Sequence, residues 1–98
     1  MAVYVDNARI PFRGMRMSHM QADTLDELHA MADAIGLRRS WFQPGSRPEA
    51  AHYDVSDSKR AEALALGAVA ETIEQGSQRR RAARAEADRL GTPGNTTG

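Results

Sequence analysis

The sequence predicts a small α/β domain, and three observations support this fold class. The chain has 98 residues, which is the usual length of one domain. Short alternating or β-prone segments are interspersed with two amphipathic helical patterns, in the order strand, strand, helix, strand, helix, strand. This order favours a mixed or parallel sheet of about four strands with two packed helices. We expect this domain to span residues 1–76, followed by a basic helix at 77–90 and a disordered tail at 91–98.

The first half of the chain contains the clearest elements. Residues 3–5 form a β-prone run, and residues 15–22 alternate as a second strand would, with turn-forming residues between the two. Thr24 and Glu27 have the spacing of a capping box, which predicts the start of a helix. An apolar stripe follows, and Gly36 predicts the end of that helix.

The second half predicts three more elements. Residues 37–43, with two adjacent aromatics, suit a third strand, and the proline- and glycine-rich residues 44–50 suit a loop. Ser56 can cap a second helix that Gly67 ends. Residues 68–73 alternate weakly and predict the last strand.

Composition excludes several classes of function. The chain has no cysteine, which excludes disulfides, zinc–thiolate sites, iron–sulfur clusters and thiol nucleophiles. No long apolar run is present, so neither a signal peptide nor a membrane span is predicted, and cytoplasmic location is the simplest expectation. A domain this small buries limited surface, which makes a homodimer a reasonable expectation.

Polar residues cluster where the predicted strands end. Asp6 follows the first strand, residues 19–23 close the second, and Gln43 closes the third. Ligands of open α/β sheets bind at the carboxyl ends of the strands. We therefore expect these groups to share one rim with His52 and its neighbours.

The start of the second helix predicts an anion site. Lys59 and Arg60 lie in its first turn, where the helix dipole disfavours cations by about 0.3–1 kcal/mol each. Ser56 and Ser58 add hydroxyl donors beside free backbone N–H groups, a combination that suits a phosphate. The alternative is that neighbouring aspartates neutralise both cations and Lys59 extends into water.

Two histidines and nearby carboxylates predict either a metal site or acid–base chemistry. His52 and Asp54 are two residues apart, His19 and Asp23 are four apart, and Asp6 could join them. Imidazole with carboxylate suits zinc, manganese or iron better than calcium. A histidine acting as general base and purely structural hydrogen bonds are the alternatives.

Aromatic residues and an arginine cluster offer two further binding surfaces. Trp41 or Tyr53 could stack on a planar ligand, although two adjacent aromatics in a strand are commonly core residues. Four arginines could contact nucleic acid phosphates: Arg79, Arg80, Arg81 and Arg84. A solvated helix face is the alternative. A second alternative is that the basic helix docks on the rest of the chain, because the two parts have opposite charge. Residues 1–76 carry eleven acidic and eight basic side chains, whereas residues 77–98 carry two acidic and five basic ones.

Five segments, VYVD, SHMQAD, ELHAMADAIGL, WFQ and HYDVSDSKRAEALALGAV, carry a family resemblance. Over about residues 2–72 the chain resembles a short domain of unknown function found in bacteria, notably actinobacteria, and in tailed phages. The resemblance implies that the loop at 44–51 and the basic C-terminal extension lie outside the family pattern. It also implies that the family shares His19, Asp23, Trp41, His52, Tyr53, Asp54, Ser58, Lys59 and Arg60.

The leading functional hypothesis is binding of, or action on, a phosphorylated ligand such as a nucleotide. In it, Ser56, Ser58, Lys59 and Arg60 surround the phosphate, and the reactive groups are His19, His52 and Asp54. A metal-dependent hydrolase or nuclease is the second hypothesis, with His19, His52 and Asp54 as its residues and Asp6 as an optional fourth. The third is a non-enzymatic adaptor that binds protein or nucleic acid through the arginine-rich helix.

Overall fold

The computed structural model describes residues 2–91, and this part of the chain contains five strands and three α-helices. The strands are β1 (Val3–Val5), β2 (Ile10–Phe12), β3 (Met15–Ala22), β4 (Tyr53–Ser56) and β5 (Val69–Ala70). The helices are α1 (Leu25–Ala34), α2 (Asp57–Ala65) and α3 (Ile73–Arg89). Two short 3-10 turns, at Arg39–Trp41 and Pro48–Ala50, lie between α1 and β4.

The sheet is organised around β3, its longest strand. One edge of β3 pairs antiparallel with β1 and β2, and the other edge pairs antiparallel with β4. β5 pairs with β1 in parallel and supplies the only parallel pair of strands within residues 2–91. The expected small mixed sheet with packed helices is therefore confirmed.

β1 and β2 are two parts of one interrupted strand. Val5 pairs with Met20 and Ile10 pairs with Met17, so the four residues Asp6–Arg9 lie opposite only two residues of β3. The additional residues form a bulge, and Arg9 adopts a φ of 49° within it. The sequence predicted only a loop in this region.

β2 was missed because it contains a proline and ends at a turn. Pro11 is tolerated because β2 lies at the edge of the sheet, where a missing N–H breaks no ladder. Arg13 and Gly14 then form a two-residue hairpin turn with φ angles of 51° and 78°. Positive φ at both positions matches the twist of the flanking strands.

Alternation along the strands gives the sheet two different faces. Met20 of β3 and Val55 of β4 point to the face covered by α1 and α2, where they pack with Leu28 and Ala63. The predicted helix caps are confirmed: Thr24 accepts a hydrogen bond from the N–H of Glu27, and Ser56 does the same for Lys59. Both helices are thus held against one side of the sheet.

The opposite face is partly covered by α3. The Arg79 guanidinium lies 4.0 Å from the centre of the Tyr4 ring and donates to Gln21 and Glu71. α3 begins at Ile73, after a capping box of Thr72 and Gln75, so the expected boundary between residues 76 and 77 falls inside this helix. No helix of the described chain is both long enough and apolar enough to cross a membrane.

The predicted third strand at residues 37–43 is wrong. Leu37 is buried, the next residues form the 3-10 turn, and Gln43 makes a single β-bridge with His52. The strand lies instead at Tyr53–Ser56. From the sequence, these residues were interpreted only as the segment that precedes and caps α2. Of the predicted tail at 91–98, residues 92–98 lie outside the described residues.

The docking of α3 predicts a large cost for Arg79→Met. The Arg79 side chain is 19 % exposed and that of Glu71 is 9 % exposed, so the substitution leaves a nearly buried carboxylate unpaired. We expect a loss of about 2–3 kcal/mol in the free energy of unfolding, measured by urea denaturation. Arg89→Met is the matched control, because its pair with Glu86 is exposed and should contribute about 0.5 kcal/mol or less. Equal losses in the two variants would contradict the docking.

Candidate metal centre

Three predicted residues converge on the sheet face opposite α1 and α2. His19 of β3 lies directly across from Asp54 of β4, and His52 precedes Asp54 by two residues and so shares its face. One ligand atom from each of the three lies within 4.8 Å of the others. The two imidazole rings meet edge to face with centres 5.3 Å apart. The fold therefore joins two histidines that are distant in the sequence.

Hydrogen bonds fix the orientation of both rings. His52 Nδ1 donates to the carbonyl oxygen of Ala50 at 3.0 Å, and His19 Nδ1 donates to Asp6 Oδ2 at 2.8 Å. Both partners accept hydrogen bonds, so in the neutral imidazoles they place the ring proton on Nδ1 and leave the lone pair on Nε2. Nε2 of His52 lies 3.5 Å from Asp54 Oδ1. This arrangement of an oriented, deprotonated nitrogen is typical of metal-binding histidines.

Asp6 holds His19 from within the bulge. Its side chain accepts hydrogen bonds from the backbone N–H groups of His19 and Ala8, at 2.9 and 3.1 Å, as well as from the His19 ring. Arg60 of α2 donates to the Asp6 carbonyl oxygen at 2.7 Å. Asp6 itself is only 6 % exposed. Asp6 thus connects the bulge, β3 and α2 at one point.

The pair also shifts the pKa of each partner. The hydrogen bond that His19 donates to Asp6 raises the pKa of His19, an effect that desolvation and the charge of Arg80 only partly oppose. Burial alone would raise the pKa of Asp6, but hydrogen bonds from the His19 ring and from two backbone N–H groups outweigh it and lower the pKa. Both shifts favour the charged forms of the two side chains.

Gln43 orients the third member of the cluster. Its Nε2 donates to Asp54 Oδ2 at 3.0 Å, and its backbone pairs with His52. One carboxylate oxygen of Asp54 is thereby held while the other faces His52. The sequence placed Gln43 on the rim but gave no reason to connect it with Asp54, because the bridge that aligns them is a tertiary contact.

Arg80 brings a positive charge beside the cluster. It extends from α3 to Gln21, two residues beyond His19 on the same face of β3, and donates to Gln21 Oε1 at 2.8 Å. Its charge is close enough to act on the pKa of His19. Within residues 2–91, no carboxylate oxygen lies within 4.0 Å of the Arg80 guanidinium nitrogens. Arg80 is therefore a half-buried cation without a carboxylate partner.

The predicted anion-binding cations at the start of α2 are bound to backbone carbonyl groups. Lys59 Nζ donates to the Ile35 oxygen, at the C-terminal end of α1, at 2.6 Å and lies 3.3 Å from Glu62. Arg60 is bound to the bulge, as described above. Ser56 caps α2, and its hydroxyl lies 3.2 Å from that of Ser58. The cations that the helix dipole disfavours are thus stabilised by carbonyl oxygens.

The remaining predicted ligand residues have separate positions. Tyr53 is fully buried, with its hydroxyl 2.8 Å from His29 Nδ1, so the structure contradicts the expectation that its ring stacks on a ligand. Asp23 accepts from the Ala2 N–H at 2.7 Å and from the Tyr4 hydroxyl at 3.0 Å. Trp41 is half exposed and stays available to a ligand.

The arginine cluster is divided between two environments. Arg79 and Arg80 are half-buried and dock on Gln21, as the intramolecular alternative anticipated. Arg81 and Arg84 are exposed. A role in nucleic acid binding stays a prediction and would rest on these last two side chains.

Fold and site together define a small mixed α/β protein with a cluster of two histidines and one carboxylate on a sheet face. The model of a family described as protein of unknown function (DUF4031) matches residues 3–85, and the chain belongs to this family. The match extends to residue 85 rather than about 72, so the loop at 44–51 and the arginine cluster lie inside it, contrary to expectation. No curated protein and no solved structure matches the chain.

The Asp6–His19 pair predicts a pH-dependent effect of Asp6→Asn on stability. Folding raises the His19 pKa, which means that the protonated ring stabilises the folded state. This stabilisation is fully present below the pKa of histidine in the unfolded chain and is lost as the pH rises through the His19 pKa of the folded protein. The free energy of unfolding of the metal-free protein should therefore fall more in Asp6→Asn at about pH 5.5 than at about pH 8.5. Urea denaturation at both pH values measures this difference.

Asp33→Asn provides the control for charge removal. Asp33 pairs with Arg39 on the surface, where both side chains are more than half exposed, and no histidine is involved. Its small effect should be the same at both pH values. A loss in Asp6→Asn that does not change with pH would show that the His19 charge contributes nothing.

Proposed function

We propose that this protein binds a divalent transition metal through His19, His52 and Asp54 and uses it to hydrolyse a phosphate ester. The observation that carries the proposal is the convergence of one donor atom from each residue within 4.8 Å. The fixed proton positions on both imidazoles support it, because they leave Nε2 free to bind metal.

The donor set indicates which metals fit and how they would be used. Two imidazole nitrogens and one carboxylate suit zinc, manganese or iron, whereas calcium and magnesium prefer oxygen ligands. Three protein ligands leave coordination positions open for water and substrate, as catalytic sites do. A metal bound there would lower the pKa of a coordinated water and polarise a phosphoryl oxygen.

Arg80 is the reason to propose a phosphate ester as substrate. The charge of Arg80 acts on His19, and its guanidinium has no carboxylate oxygen within 4.0 Å in the described chain, so it could attract the negative charge of phosphoryl oxygens. Hydrolysis adds the oxygen of water to phosphorus and breaks the bond to the ester oxygen, which leaves with one proton as the alcohol. The Arg80 charge would stabilise the negative charge of the phosphoryl group during this step.

This proposal combines the first two hypotheses from the sequence. The phosphorylated ligand is retained, but its phosphate is assigned to Arg80 instead of Lys59 and Arg60, whose donors bind backbone carbonyls. His19, His52 and Asp54 keep their place as the reactive centre. Occurrence in actinobacteria and phages and a cytoplasmic location remain predictions that accompany it.

Metal binding is the first test. Calorimetric titration of the chelator-treated protein should show one Mn²⁺ or Zn²⁺ bound per chain, and His52→Ala should weaken binding by at least about tenfold. His29→Gln is the matched control, since His29 is a partly buried histidine that contacts Tyr53 and Phe42 instead of the cluster, and the variant should leave metal affinity unchanged. If His52→Ala and His29→Gln bind metal equally well, the assigned centre is wrong.

The role of Arg80 is tested with inorganic phosphate on the metal-loaded protein. Arg80→Gln should weaken phosphate binding by about tenfold or more, because it removes a charge-assisted hydrogen-bond donor, and should leave Mn²⁺ affinity unchanged. Arg81→Gln is the control, since Arg81 is the next residue on α3 but is exposed. Equal phosphate affinity in the two variants would remove the argument for a phosphate ester.

A further inference from the structure

A groove with apolar walls runs along the sheet beside the candidate metal centre. It has a volume of about 560 Å³, and its lining includes Phe12, Met17 and Trp41 together with Gln43 and Asp54. Asp54 is therefore both a member of the metal cluster and part of the groove. A ligand that lies in the groove would therefore border one residue of the centre.

The walls of the groove expose large aromatic surfaces. Trp41 is 52 % exposed and Phe12 is 54 % exposed, so both rings present accessible apolar surface within the groove. Met17 adds a thioether, a group that packs favourably on aromatic rings. A volume of this size fits a small molecule, since ligand sites commonly span about 300–1,000 Å³.

One arginine lies over each of the two aromatic rings. The Arg13 guanidinium lies 5.2 Å from the centre of the Phe12 ring, and that of Arg38 lies 5.6 Å from the centre of the Trp41 ring. Aromatic faces combined with arginines favour ligands that are both planar and anionic. The groove thus complements a flat group that carries a phosphate.

We propose that the groove binds the nucleobase of a nucleotide, stacked on Trp41, while its phosphate lies at the metal centre. This inference rests on the proposed function and narrows its substrate class from phosphate esters to nucleotides. The shared residue Asp54 supplies the link, because it borders both the groove and the metal cluster. A ligand with a phosphate but no base would fill only half of the site.

Trp41 allows this inference to be measured directly, because it is the only tryptophan of the chain. We would titrate the full-length protein with adenosine 5′-monophosphate and with ribose 5-phosphate, with and without Mn²⁺, and follow tryptophan fluorescence. Stacking should make the nucleotide change the fluorescence and bind about tenfold more tightly than ribose 5-phosphate. A preference for the nucleotide that persists without Mn²⁺ supports the groove even if the metal does not bind.

Two variants separate stacking from general surface effects. Phe12→Ala should weaken nucleotide binding several-fold and leave Mn²⁺ affinity unchanged. Leu66→Ala is the control, because Leu66 is also an exposed apolar residue but lies outside this groove, and it should change neither nucleotide affinity nor Mn²⁺ affinity. Equal affinity for adenosine 5′-monophosphate and ribose 5-phosphate, both with and without Mn²⁺, would overturn the inference. A Trp41 fluorescence that changes only with protein concentration would also overturn it, because such a change indicates self-association. If Mn²⁺ binds in that case, only the base site is lost and the proposed function stands.

Discussion

The contact between Asp6 and His19 is the interaction on which the candidate site depends. A buried carboxylate is costly unless hydrogen bonds satisfy it, and Asp6 accepts from two backbone N–H groups and one imidazole. In the described chain, no buried side-chain nitrogen or oxygen lacks a hydrogen-bond partner. The bulge makes this possible, since a continuous strand would have no additional residues with which to turn Asp6 towards β3. Fold and ring orientation are therefore determined together.

Alternation along the strands gives the sheet one face packed under α1 and α2 and another that carries the cluster. Along β3, Ser18 and Met20 are buried on the helix side, whereas His19 and Gln21 face the other side. Two members of the cluster, His19 and Asp54, are consequently carried by paired strands with a fixed register, and the β-bridge to Gln43 holds His52 next to them. Only a small part of that face is covered by α3, so the cluster can be both rigid and accessible.

Local signals made several elements predictable. Thr24 and Ser56 cap helices by accepting hydrogen bonds from residues only three positions further along the chain. Contacts this local can be recognised from the sequence alone. The strand at 53–56 was missed because its polar residues suggested a helix start, although His52, Asp54 and Ser56 alternate with buried residues. His19, His52 and Asp54 could be named from residue type alone, but not their arrangement. They meet across a strand register instead of at strand ends, and register depends on tertiary pairing.

Gly76 allows the arginines of α3 to lie close to the sheet face that carries the cluster. Glycine weakens a helix, yet Gly76 lies inside α3, and a Cβ built there would be 2.8 Å from Glu71 Oε2 and 3.1 Å from Arg80 Nη1. The missing side chain therefore lets α3 approach closely enough for Arg79 to pair with Glu71 and for Arg80 to reach Gln21 beside His19. Because the family match includes this helix as far as residue 85, we consider the arginines part of the domain and not an appended tail.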